Sequence, residues 1–177
     1  MPSGHAHDAI TILLAAPAAV VTYGLTRDLP TTMIAAIAFI FAGVMFGPDL
    51  DTKSKQYSRW GPLRFIWLPY RTVFRHRSRW SHGLIFGTLL RVAYFLGVAT
   101  VITFIGFAAY SYAGNGDLPN IAAFTRGWES IGNVAGAGST PQVLLATLIG
   151  MWAGAASHTV TDIAITYIKT GRAKGLL

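Results

Sequence analysis

The sequence predicts an all-α fold: a small integral membrane protein with about four transmembrane helices and a basic interfacial helical loop, in a single domain over 1–177. Three observations carry that expectation. Apolar residues make up 53% of the 177-residue chain and charged residues only 12%, against roughly 25% charged in a soluble domain. Mean hydropathy is +0.47. Eight cations (Lys53, Lys55, Arg59, Arg64, Arg71, Arg75, Arg77 and Arg79) collect in one stretch between apolar runs.

The first span, 9–25, is short and interrupted by Pro17, and the second, 31–47, follows the turn "RDLP". A crossing needs about 20 residues and tolerates about 17, so the two are expected as a tightly linked hairpin. The third span, 84–110, is long enough to cross alone, with Arg91 expected to snorkel to the interface. The fourth, 142–166, follows Pro141, which suits a first helical turn. Within it Gly150, Gly154, Ala155 and Ala156 form a small-residue face for close helix packing. The segment 111–140 reads as a Gly-rich loop of almost neutral charge with a surface turn around 122–128. The basic loop 49–82 interleaves Trp60, Phe65, Trp67, Tyr70, Phe74 and Trp80 with arginine, as expected of one or two short helices lying in the headgroup plane and divided by Pro62 and Pro69.

A net charge of +7 would suggest nucleic acid in a soluble chain, but a juxtamembrane segment held against anionic lipid headgroups needs the same clustering. No nucleic-acid partner is expected. With no cysteine, any metal must sit on imidazole and carboxylate. The N-terminus lacks a basic region and a small-residue cleavage site, so no removable signal peptide is expected.

The basic loop fixes the topology. With 49–82 on the cytoplasmic side, both termini are also cytoplasmic, and the basic tail "KTGRAKGLL" agrees. His5, His7 and Asp8 then open span one, Asp49 and Asp51 end span two, His76 and His82 precede span three, and His158 and Asp162 fall late in span four. All five histidines thus share one membrane face. The acids divide four to three and discriminate nothing; polar residues also gather near helix ends in any chain this oily.

His158 and Asp162 are four apart, which on a helix puts both on one face. They suit a shared ion, or an acid orienting a helix-end histidine. Asp49 and Asp51 flank Leu50, so both carboxylates can point one way and bracket a cation; the bland reading is a helix stop at "GPD". His76 and His82 are six apart, too far for one helical face, and a turn is needed to bring them together. Arg75 and Arg77 suit a bidentate phosphate grip or the lipid surface equally. Asp8 suits the first turn of a helix by its charge alone.

The segments "GPDLD", "RHRSRWSHG" and "GMWAGAASHTVTD", with a histidine near the N-terminus, resemble the family of predicted membrane-bound metal-dependent hydrolases, more closely a cyanobacterial branch described as metal-binding proteins. The resemblance covers most of the first 82 residues and the fourth span; Ser78 stands where the family often has glycine. It matches His7 to a leading histidine, Asp49 and Asp51 to an aspartate pair, His76 and His82 to a central pair, and His158 and Asp162 to the last motif. The resulting expectation is a metal-dependent hydrolase of a membrane-associated phosphoester. His7, Asp49, His82, His158 and Asp162 would bind metal, Asp51 would bridge or act as base, His76 would hold a second metal or shuttle a proton, and Arg75 and Arg77 would hold a phospholipid-like substrate. The donors fit a divalent metal, zinc first and manganese or iron after it. The competing expectation is a non-catalytic, metal-stapled structural or accessory subunit of a larger membrane complex. A transporter is disfavoured because no charged path crosses the spans.

Overall fold

Asp28 and Pro30 make the first corner of the chain. After α1 (Gly4–Thr26), Arg27 takes a left-handed φ of 52°, and Asp28 caps α2 (Leu29–Met45) by accepting the Thr31 N–H at 2.8 Å, with Pro30 in the first turn. The two helices pack as a hairpin. α1 begins at Gly4 and continues through Pro17, so His7 and Asp8 lie on the helix itself.

The computed structural model describes residues 4–74, 78–83, 85–117, 120–137 and 141–171, and every regular element among them is helical. The chain divides into two compact units, one made of residues up to 92 and from 142 onward, the other of 93–141. The first unit continues from α2 through a 3₁₀ turn (Pro48–Asp51), α3 (Lys55–Arg59), a 3₁₀ stretch (Gly61–Trp67), α4 (Leu68–Val73) and α5 (Arg79–His82). It also takes the start of α6 (Phe86–Asn115) and nearly all of α8 (Pro141–Thr170). Four helices, over Gly4–Thr26, Leu29–Asp51, Phe86–Gly114 and Pro141–Thr170, are long and apolar enough to cross a membrane.

Small residues bring α8 against the hairpin. A Cβ on Gly150 would collide with the Ala35 carbonyl, one on Gly154 with the Phe39 carbonyl, and one on Gly43 with the Thr11 side chain. The glycine face expected from the sequence therefore lets backbone touch backbone, which is how apolar helices associate where water exclusion offers no drive.

The aromatic segment after α2 is more deeply built than a surface layer. Trp67 and Tyr70 are fully buried; Trp67 meets Phe46, Trp60 and Tyr70 edge-on at 5.4, 5.3 and 5.8 Å, and Trp60 Nε1 donates to the Met45 carbonyl at 3.0 Å. Leu63, Phe65, Leu68 and Val73 stay exposed. Half of this segment thus folds under the end of α2 as a core, while the other half presents apolar side chains outward. Arg91 departs from expectation more sharply: it is 2% exposed and turned into protein.

In the second unit, the Gly-rich segment holds α7 (Ile121–Ala137), begun by Asn120, whose Oδ1 accepts the Ala123 N–H at 2.7 Å. Its periodic apolar residues, Phe124 and Trp128, outweigh its glycines: Phe124 lies edge-on to Phe104 at 5.0 Å and 6.2 Å from Trp128.

Candidate metal centre

Three elements converge at one end of the first unit. His7 comes from the second turn of α1, His158 and Asp162 from one face of α8, and Asp49 from the 3₁₀ turn that Pro48 starts after α2. Both imidazoles are buried, 6% and 3% exposed, and stack with centroids 3.8 Å apart and planes 10° from parallel.

Their nitrogens face carboxylates. His7 Nε2 lies 3.3 Å from Asp162 Oδ1; His158 Nε2 lies 3.3 Å from Asp49 Oδ2 and 3.9 Å from Asp162 Oδ2. His7, His158 and Asp162 each offer a ligand atom within 4.8 Å of the other two. An ion bonded at about 2.1 Å to tetrahedral donors holds them roughly 3.4 Å from one another, so small side-chain adjustments would close this set on a cation. The hydrogen bonding points the same way. His158 Nε2 and Asp162 Oδ1 are buried and make no hydrogen bond despite their close neighbours. Donor atoms brought together without good hydrogen-bond geometry, in a place where unpaired polar atoms are costly, fit a metal set better than a hydrogen-bond network.

Neighbouring side chains hold the donors in place. Gln56, 5% exposed, donates through Nε2 to the Gly43 carbonyl at 2.9 Å and lies 3.4 Å from His158 Nδ1. Ser157 Oγ, adjacent to His158, donates to the Gly154 carbonyl at 2.7 Å and lies 3.4 Å from Thr11 Oγ1 on α1. Asp8 has a different task from its neighbour His7. It accepts from Lys55 Nζ and Arg59 Nη1, each at 2.8 Å, and also pairs with Arg59 Nη2, which clamps α1 to α3. His5 sits beside the same Lys55, its Nδ1 2.9 Å from Nζ.

Asp51 is buried at 5% exposure on the same turn as Asp49. Burial pushes the Tyr70 phenol above its ordinary value, with Arg91 opposing the shift. Among the sequence-predicted residues, the structure thus brings His7, His158 and Asp162 together with Asp49 at their edge, and buries Asp51 two residues along the same turn. His76, Arg75 and Arg77 lie outside the described residues; the backbone of His82 ends α5, and its side chain lies outside them too. Gln56 and Arg91 carry no sequence signal that marks them as site residues. Gln56 sits in a polar, basic run with no distinguishing spacing, and Arg91 has the pattern of any lone arginine near a helix end.

An all-α chain with long apolar helices and a buried His/His/Asp cluster able to coordinate a cation is a metal-binding protein by architecture. The model of one family, described as uncharacterized metal-binding protein (DUF2227), matches residues 2–172, and the chain belongs to that family. No curated protein and no solved structure matches the chain.

Proposed function

We propose that the chain is an integral membrane protein in which one divalent ion, held by His7, His158 and Asp162 with Asp49 beside them, fastens α1 and the end of α2 to α8. The burial of two stacked imidazoles from opposite ends of the sequence carries the reading. Structural ions fill their coordination with protein donors and exclude water, whereas catalytic ions keep an open position. The apolar cavity of about 480 Å³ between α1, α2 and α8 supports the same reading. It begins on α1 at Pro17, about 15 Å along the helix from His7, and none of the donors lines it. The ion supplies positive charge among carboxylates and crosslinks the helices; zinc suits the donors best, with manganese and iron(II) as substitutes. The exposed Lys53 and Arg64 suit anionic headgroups on the cytoplasmic side, and exposed apolar side chains suit lipid or a larger membrane complex.

A second reading, hydrolysis of a membrane phosphoester, draws on one observation. Asp49 and Asp162 remain 23% and 17% exposed, so water reaches the carboxylate side of the centre. Asp51 would then act as base, His76 would hold a second ion or move a proton, His82 would add a ligand, and Arg75 and Arg77 would bind phosphate.

Elemental analysis of protein purified after metal repletion separates these outcomes. We expect one ion per chain, its loss in His158→Ala/Asp162→Asn, a lower unfolding temperature for that variant and for chelated wild type, and no release of phosphate from phosphatidic acid vesicles. Full metal content in the double variant overturns the centre. Metal-dependent phosphate release overturns the structural reading in favour of hydrolysis.

A further inference from the structure

The helices α1, α2 and α8 touch closely at one level and stand apart at another. Where Gly150 meets the Ala35 carbonyl, α8 lies backbone to backbone on α2. From that contact toward the end away from the metal centre, the three helices enclose the apolar cavity of about 480 Å³, a size usual for ligand pockets. Small residues leave the space: Ala18, Ala36 and Ala146 line it from the three helices in turn.

The two ends of the cavity differ in chemistry. The inner end is apolar and buried, at Phe39 and Gly150. The outer end, where α1 finishes and α8 begins, holds Thr26 and Gln142, and the exposed Arg27 follows Thr26 directly. Little between them can hold water. The Thr22 and Thr26 hydroxyls donate to the Ala18 and Thr22 carbonyls of their own helix, each at 2.9 Å. An ordered water needs two to four polar partners, so this interior suits hydrocarbon.

Its depth matches one leaflet. The cavity follows α1 from Thr26 to Pro17 and α8 from Gln142 to Ala153, about 14 and 16 Å of helix. A hydrocarbon core is about 30 Å thick, so one acyl layer is half of that. Val21, Leu25, Leu145 and Ile149 both line the cavity and are exposed, so it opens sideways along this length. A lipid tail can therefore enter without leaving its leaflet. The mouth also carries charge. Arg27 is fixed at the corner by its N–H to the Tyr23 carbonyl at 2.8 Å, and Asp28 beside it spends its carboxylate on the Thr31 N–H.

We propose that this cavity is a binding site for one acyl chain of an anionic phospholipid in the leaflet opposite the metal centre, with Arg27 on the phosphate and the tail ending at Phe39 and Gly150. This rests on the membrane reading above and goes beyond it. Lipid completes the packing of α1 against α8 where the glycine contacts give out.

Photolabelling tests the site. The intact chain is placed in nanodiscs with phosphatidylglycerol or phosphatidylcholine carrying a diazirine at the end of one acyl chain, irradiated, and mapped by peptide mass spectrometry. We expect adducts at Pro17, Phe39 and Ala153 in excess of those at Leu13 and Leu148, which are exposed outside the cavity. Phosphatidylglycerol should label the cavity about fivefold more than phosphatidylcholine, the worth of one basic residue at an anionic headgroup, and Arg27→Gln should abolish that preference. Ala146→Phe fills the space and should lower cavity adducts about fivefold while leaving those at Leu13 and Leu148 unchanged. Adducts at the exposed positions alone, equal labelling of the wild type by both lipids, or cavity labelling indifferent to Ala146→Phe each overturns the proposal. Should Ala146→Phe lose its helical circular dichroism, Ala36→Leu takes its place, and if that also unfolds, the wild-type map and Arg27→Gln decide. Release of the wild-type chain from native membranes by alkaline carbonate would instead remove the membrane reading itself. That result is told apart from an embedded chain whose cavity takes no lipid.

Discussion

Gln56 shows how much of the centre rests on a side chain that binds nothing itself. Its amide ties His158 to the Gly43 carbonyl, and so couples a donor on α8 to the backbone of α2 from a position on α3. Groups that orient a ligating histidine typically change metal affinity 10- to 100-fold when removed. Gln56→Ala should therefore weaken zinc binding by about that factor while leaving one ion bound at saturation, in a chelator competition against wild type. An unchanged affinity would mean that stacking on His7 suffices to orient the ring. The donors themselves are legible in the sequence because ionisable side chains are scarce in an oily chain, and the four-residue interval between His158 and Asp162 survives any helix. Gln56 is not legible, since a neutral amide in a polar run carries no signature until the fold buries it. Asp8 shows the reverse limit: its place next to His7 is evident, but adjacent residues on a helix point about 100° apart, and it serves the Lys55 and Arg59 clamp.

Helix packing is governed by absent side chains more than by present ones. Gly154 lies so close to the Phe39 carbonyl that a methyl group has no room, and the obstacle is backbone, which cannot rotate away. Gly154→Val should cost at least the 1–3 kcal/mol typical of overpacking, seen as a lower unfolding temperature in detergent. Because His158 is one turn further along the same helix, the separation of α8 from α2 should also lower metal affinity in parallel. A variant as stable as wild type would show that α8 can slide without penalty. The interval of four between Gly150 and Gly154 makes this face readable from the sequence. The burial of Trp67 and Tyr70 is not readable there, because aromatic and basic residues mixed in one segment suit a headgroup layer and a small polar core equally well. Only the turn at Pro48, which folds the segment back under α2, decides between them. The same holds for α7, where glycine content masks an apolar periodicity that Phe124 and Trp128 make real by packing.

At the scale of the molecule, the centre makes a demand on topology that no single helix makes. His7 near the start of α1, Asp49 just beyond α2 and His158 late in α8 meet in one place, so if the helices span a membrane as proposed, all three ends reach the same face. In the proposed membrane arrangement the exposed cations Lys53 and Arg64 would assign that face to the cytoplasm, since basic segments are retained there. The chain contains no cysteine, so single cysteines introduced on this background report position without competition. In sealed cells, Lys53→Cys and Thr170→Cys should resist a membrane-impermeant maleimide until the membrane is opened, whereas Leu29→Cys and Asp117→Cys should react at once. Reaction of Thr170→Cys from outside while Lys53→Cys stays protected would put an odd number of crossings between them. Asp49 and His158 would then lie on opposite faces, and a bilayer core of about 30 Å cannot be bridged by an ion whose bonds are about 2 Å long. The labelling pattern and the metal content are thus two readings of one proposed arrangement, in which four crossings would let the ends of the chain share an ion.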